Sequence, residues 1–155
     1  VPITTCIWLD GTADEAVDFW TSIFTDSTRG TKSSMSESAP GKTGDTLVIN
    51  FELLGTPFMV LNGGPMYTPS PAISFVVPCK DQAEVDYYWE RLLDGGQPSQ
   101  CGWLTDRFGV SWQVVPDRLG ELLSDPDAAR ADRAMQAMLT MVKLDVAQLE
   151  AAAAG

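Results

Sequence analysis

No histidine occurs anywhere in the 155 residues, and that absence removes the imidazole on which most catalytic zinc sites and most general bases near neutral pH are built. Cysteine is scarce as well. Cys6, Cys79 and Cys101 are odd in number and widely spaced, with no CxxC pair. They exclude a zinc ribbon and a disulfide framework, and read as reduced thiols packed as small hydrophobes. Positive charge is the third shortage: ten Lys and Arg face 21 Asp and Glu, for a net charge of -11. Such a surface repels phosphate backbones and anionic headgroups, so neither nucleic acid nor membrane is an expected partner. Long hydrophobic runs are missing too. Stretches such as Leu47 to Ile49 and Ile73 to Val77 are strand-length, far short of the roughly 20 residues of a membrane span. The first residues, VPITTCIWLD, carry no basic region and no cleavage-type apolar segment, so a cytoplasmic location is expected.

What is present is a globular composition, 45% apolar and 20% charged, at a length suited to one domain over 1–155. Ile3 to Leu9 is a β-branched and aromatic run, followed by a turn at Asp10-Gly11 and a helix-capping Thr12. From Ala13 to Phe24 the positions Ala16, Val17, Phe19, Trp20, Ile23 and Phe24 recur at helical spacing, with Asp14, Glu15 and Asp18 on the opposite face. A weak strand is expected around Gly30 to Ser36 and a loop at Ser38 to Gly44. Thr46 to Leu54 and Phe58 to Leu61, joined by Gly55-Thr56-Pro57, predict a β-hairpin.

The same order then repeats. Ala72 to Val77 reads as a strand, and Lys80-Asp81 opens a helix whose stripe is Ala83, Val85, Tyr88, Trp89 and Leu92 before Gly95-Gly96 stops it. Val17-Asp18 and Val85-Asp86 hold matching places on the two helices. Short strands at Gly102 to Leu104 and Val110 to Val115 flank a turn at Thr105 to Gly109. Beyond Pro116 the pattern is helical only: Arg118 to Leu123, a helix opened by Ser124-Asp125-Pro126 with Met135, Met138, Leu139 and Val142 on one stripe, and Val146 to Ala153 capped by Asp145. A methionine stripe is more often core or dimer packing than a peptide groove. The organisation is α+β: a first half over 1–65, a second over 71–116 and C-terminal helices over 117–155.

Three segments carry a family likeness: ITTCIWLDGTADEAVDFWTSIF from Ile3, FMVLNGGP from Phe58 and QCGWLTDRFGVSWQVVP from Gln100. They resemble the PhnB-like branch of the vicinal oxygen chelate (glyoxalase/bleomycin-resistance) superfamily, often labelled a 3-demethylubiquinone-9 3-methyltransferase domain. The resemblance implies paired βαβββ modules, each curling a sheet into a half-open cup, assembled as a homodimer. The methyltransferase label implies S-adenosylmethionine, which typically needs a glycine-rich loop after a strand of a doubly wound sheet. Gly63-Gly64, after a hairpin strand, is a poor match, so no cofactor is expected.

Metal-using members of the superfamily hold their ion with His or Glu at four positions, which fall by motif on Thr5, Asn62, Ala72 and Gln113. Alanine cannot coordinate, and threonine and two neutral carboxamides lack the charge or nitrogen a transition metal prefers. No metal is expected. Trp8, Phe58, Trp103 and Trp112 lie on strands that would line the cup, a lining suited to a flat, partly apolar organic ligand. Period-two alternation sets Trp112 opposite Gln113, and Cys6 and Trp8 opposite Thr5. The candidate ligand-binding residues are Thr5, Asn62, Ser74, Trp103 and Gln113. Cys6 and Cys101 lack a His partner and read as structural thiols rather than nucleophiles. Asp106 with Arg107, and Asp117 with Arg118, read as surface ion pairs at solvated turns. The leading expectation is a metal-independent binder of a small organic molecule; the alternatives are an enzyme using carboxylate or cysteine acid/base chemistry and a dimeric interaction module.

Overall fold

The computed structural model describes residues 1–155, which divide into two compact units, Val1–Ser70 and Pro71–Gly155. In the first, strand β1 (Thr5–Leu9) leads to helix α1 (Ala13–Ile23) and then to β2 (Ser27–Ser34), β3 (Thr46–Leu53) and β4 (Thr56–Asn62). The strands form one sheet in the order β1-β4-β3-β2, with β1 parallel to β4 and the remaining pairs antiparallel.

Helix α1 lies where it does because Ala13, Ala16, Val17, Trp20 and Ile23 make one apolar face, all buried. Trp20 stacks on Phe51 of β3 at 5.6 Å, and Phe51 on Phe58 of β4 at 5.3 Å, so one aromatic column joins helix and sheet. Emptying a buried site of this kind costs about 3–5 kcal/mol. Thr12 stands at the N-cap as expected but makes no side-chain bond to the helix. A different first-turn donor is satisfied from across the unit: the Ala13 N–H donates to Asn62 Oδ1 at 3.1 Å. The hairpin turns on Leu54 and Gly55, with φ of +50° and +78°, the geometry of a two-residue loop that matches strand twist. Thr56 and Pro57, expected in the turn, belong to β4.

The second unit repeats the order with β5 (Ser74–Cys79), α2 (Gln82–Leu93), β6 (Gln97–Pro98), β7 (Trp103–Thr105) and β8 (Ser111–Pro116), arranged β5-β8-β7-β6. Asp81 caps α2 with its own carboxylate, accepting from the Glu84 N–H at 2.9 Å. Val85, Trp89 and Leu92 are buried, whereas Ala83, expected in the same stripe, is exposed. Strand β6 carried no signal: it is two residues long, one of them proline, and its partner β7 approaches so closely that a side chain at Gly96 would meet the Thr105 carbonyl oxygen at 2.1 Å.

Helices α3 (Asp117–Leu123), α4 (Ala128–Leu139) and α5 (Val146–Ala154) complete this unit around a cluster of Leu119, Leu122, Ala134, Met141, Leu144, Leu149 and Ala153. Asp127 caps α4 and Asp145 caps α5. Val142 lies beyond the end of α4, and of the expected methionine stripe Met138 packs on the cluster while Met135, Leu139 and Val142 are exposed. Gln82 ties the α5 entry to α2, donating to the Leu144 carbonyl and accepting the Val146 N–H. The backbone N–H groups of Cys101 and Gly102, just before β7, donate to the carbonyls of Met141 and Val142.

Candidate functional site

Each sheet has one face closed by its helix and one turned away from it, and strand parity decides which side chains appear where. In the second sheet Val77, Cys79, Leu104, Trp112 and Val114 are buried on the α2 side. The alternate positions face the other way in two cross-strand rows. Ser74, Ser111 and Thr105 are aligned across β5, β8 and β7, and Val76, Gln113 and Trp103 are aligned beside them. Gln113 Nε2 donates to Ser74 Oγ at 2.9 Å. Three of the five candidates, Ser74, Trp103 and Gln113, are thus neighbours on one face.

Thr5 and Asn62 stand elsewhere. In the first sheet Thr5 pairs with Phe58, Ile7 with Val60 and Leu9 with Asn62, and all share the side closed by α1. Asn62 is 8% exposed, and both ends of its amide are taken by backbone: Oδ1 by Ala13 N–H, Nδ2 by the Thr46 carbonyl at 3.0 Å. It fastens β4 to β3 and to the start of α1. Phe58, expected among the cup-lining aromatics, belongs to the helix side because it shares the parity of Thr5 and stacks in the aromatic column. The face of the first sheet away from α1 shows Cys6, Met59 and Asn50 in one row and Trp8, Leu61 and Val48 in the next. Trp8 donates from Nε1 to the Gly64 carbonyl at 2.8 Å and meets Tyr67 edge-on at 5.0 Å.

The turn before β8 corrects a second expectation. Asp106 is no solvated ion-pair residue: it is 3% exposed and its carboxylate accepts from the backbone N–H groups of Phe108 and Val110 and from Trp112 Nε1 at 2.8 Å. Arg107 pairs with Asp94, and Arg118 with Glu121 and Glu150. Trp112 is held on the helix side by Asp106, which fixes Gln113 on the opposite side by alternation.

A cleft of about 630 Å³ opens in the first unit where β1 and β4 end and α1 begins, between Asp10, Asp14, Lys42, Asp45 and Asn62. Its acids are partly self-paired, Asp14 with Lys32 and Arg29. Hydrogen bonds from Lys32 first and Thr46 second hold the Asp14 carboxyl below the usual carboxylate range.

Neither Cys6 nor Cys79 is poised for attack. Partial burial raises the Cys6 thiol, and burial, then Glu84, pushes Cys79 up to about 12; thiolate chemistry calls for the opposite shift. Cys101 occupies the turn before β7 with φ of +58°. No group of three or more His, Cys, Asp or Glu is placed to hold a metal ion, and no helix is long and apolar enough to cross a membrane.

The sequence profile of the family described as 3-demethylubiquinone-9 3-methyltransferase matches residues 2–115. A Bacillus cereus protein described as a 3-demethylubiquinone-9 3-methyltransferase, PhnB protein, is 33% identical over 75% of this chain and 99% of its own, with a TM-score of 0.68. A Pseudomonas aeruginosa protein, PA1353, is similar in fold, at 20% identity over 75% of this chain and 97% of its own, with a TM-score of 0.58. So is the fosfomycin resistance protein FosX of Listeria monocytogenes, complexed with Mn(II) and sulfate, at 15% identity over 72% of this chain and 88% of its own, with a TM-score of 0.53. No curated protein matches this chain in sequence.

The methyl donor implied by the family's description does not fit these residues. Gly63 follows β4 because a side chain there would meet the Trp8 ring at 2.4 Å, and the Gly64 carbonyl is taken by the same indole. The glycine pair accommodates Trp8, not a nucleoside, and neither four-stranded sheet is doubly wound.

Proposed function

This chain belongs to the 3-demethylubiquinone-9 3-methyltransferase family, the PhnB-like branch of the vicinal oxygen chelate superfamily, and from that premise we propose that it binds a small organic molecule on the face of the second sheet turned away from α2. The observation that carries the reading is the Gln113–Ser74 hydrogen bond beside Trp103. With one amide hydrogen spent on Ser74, the Gln113 carbonyl oxygen and the Ser74 hydroxyl hydrogen remain an acceptor and a donor fixed relative to each other. Trp103 adds a flat apolar surface next to them, the combination that orients a planar ligand.

Asn62 serves this reading indirectly, by fastening the first sheet to the start of α1, and Thr5 lies on the same helix side, away from the proposed face. No carboxylate stands in either row with Gln113, and Asp106, in the turn before β8, is on the other side, so the acid/base alternative finds no proton-transfer carboxylate in these rows. Mn(II) belongs to FosX; here the two amides, one hydroxyl and alanine at Asn62, Gln113, Thr5 and Ala72 supply no charge to hold such an ion. The protein acts as a homodimer in the cytoplasm, its three unpaired cysteines suiting a reducing compartment.

The test is a fragment screen read by the indole N–H resonance of Trp103 and the side-chain amide of Gln113, together with native mass spectrometry and elemental analysis of protein purified without chelator. Binding fragments are expected to converge on those two resonances, and Gln113→Ala to weaken them about tenfold, the loss of one hydrogen bond. Fragments that perturb neither resonance, or a stoichiometric transition metal, overturn the reading.

A further inference from the structure

Resting on the ligand face proposed above, we infer that the ligand is uncharged where it meets the sheet and that Ser111 is its concealed hydrogen-bonding anchor. Ser111 lies in the middle of the hydroxyl row, paired with Ser74 on one side and Thr105 on the other. It is 2% exposed, and its Oγ is the one buried side-chain oxygen or nitrogen of the protein with no hydrogen-bond partner. Buried polar atoms are almost always paired because an unpaired one forfeits its water without compensation. Asn62 and Asp106 show the rule being kept elsewhere in the same chain. A ligand carbonyl or hydroxyl arriving beside the Gln113–Ser74 pair gives Ser111 the partner the protein itself does not provide.

The charge of the ligand follows from the same two rows. Ser74, Ser111, Thr105, Val76, Gln113 and Trp103 offer hydroxyls, one amide and apolar surface, and no ionised group. A charge brought against them loses its hydration with no counter-charge to offset it. The net charge of -11 draws cations towards the protein from a distance, so discrimination against a cation has to come from this face alone.

Three probes of matched shape separate these effects: benzamide, benzoate and benzylamine, titrated into the full chain and into Ser111→Ala and followed at the Trp103 indole. Benzamide is expected to bind at least tenfold more tightly than either charged probe. Ser111→Ala is expected to weaken benzamide about tenfold while Tm stays level or rises, since the substitution removes an unpaired buried hydroxyl. Equal or tighter binding of benzylamine or benzoate at this face overturns the neutral-ligand inference and leaves the ligand face standing. Unchanged benzamide affinity in Ser111→Ala, with Tm lowered or not, overturns the anchor. If none of the three probes perturbs Trp103 or Gln113, the ligand face falls and this inference with it.

Discussion

The two units have the same strand order and the same parallel pairing of their first and last strands, yet the rows they show on the face away from the helix differ in kind. The first unit shows Trp8, Leu61 and Val48 beside Cys6, Met59 and Asn50; the second shows Val76, Gln113 and Trp103 beside Ser74, Ser111 and Thr105. On the helix side both units are mostly apolar, with Asn62 and Asp106 as buried polar exceptions. The repeated topology is held by the helix side, where volume and burial set narrow limits. The outer rows are free to differ, and the binding chemistry proposed for the second unit rests on that difference. The units also satisfy their buried polar groups differently. The first uses Asn62 at a strand end to finish a helix its own N-cap leaves unbonded. The second caps its helix locally with Asp81 and places its buried acid, Asp106, in the hairpin turn.

The sharpest way to break this comparison is to remove the two buried polar staples. Asp106→Ala leaves three N–H donors unpaired and is expected to cost about 3–4 kcal/mol, whereas Asn62→Ala leaves one donor and one acceptor and is expected to cost about 2 kcal/mol. Denaturant melts with Trp112 and Trp20 as local reporters measure both. A larger loss for Asn62→Ala would mean that the first unit depends on its staple more than the second does on its own.

A smaller effect sharpens the contrast between helix starts. Asp81→Ala removes a working cap and is expected to cost about 1 kcal/mol, while Thr12→Ala, which removes no hydrogen bond, is expected to stay within about 0.5 kcal/mol of the parent. Equal losses in thermal melts would show that Thr12 caps α1 after all.

The smallest effect is a pH dependence shared by the two units. Lys32, with Thr46, lowers the Asp14 carboxyl below its ordinary value of 3.8, and Lys143, with Gln82, does the same to Asp86. A depressed carboxyl binds its proton more weakly in the folded state. Its contribution is therefore complete above the ordinary value and is lost as the pH falls through the folded one. Asp14→Asn and Asp86→Asn are each expected to flatten the decline of Tm below pH 3.8 slightly, because both carboxylates are largely solvated and screened. An unchanged slope in both variants would assign the acid limb of stability to other groups.

Much of the fold was legible in the chain because its signals are local. Helical spacing from Ala16 to Ile23, alternation along β3 and β8, and the repeated Val-Asp pair require only neighbours in sequence. Strand β2 begins at Ser27 instead of Gly30, and β6 carried no signal, because both are exposed edge strands without apolar alternation whose pairing is imposed by the strand beside them. The candidate site was legible in part. Ser74, Trp103 and Gln113 fell on one face because alternation in the second half is regular. Asn62 was read as a ligand-facing amide because nothing near it in sequence shows that Ala13 and Thr46 take both ends of its side chain. Ser111 gives no signal in the sequence, since an unpaired hydroxyl is visible only when everything around it has been placed.

The sequence by itself determined what chemistry this protein has to work with: no imidazole, few cations, and hydroxyl, amide and indole side chains on strands, in two copies of one strand-helix-strand pattern. Those are properties of composition and of short-range periodicity, and they survive without knowledge of any distant contact. Tertiary structure alone decided which polar groups are consumed within the protein and which remain unpaired. Hydrogen bonds such as Asn62 to Ala13, and alignments such as Ser74 with Ser111, join residues tens of positions apart, and only the packed sheet brings them within reach.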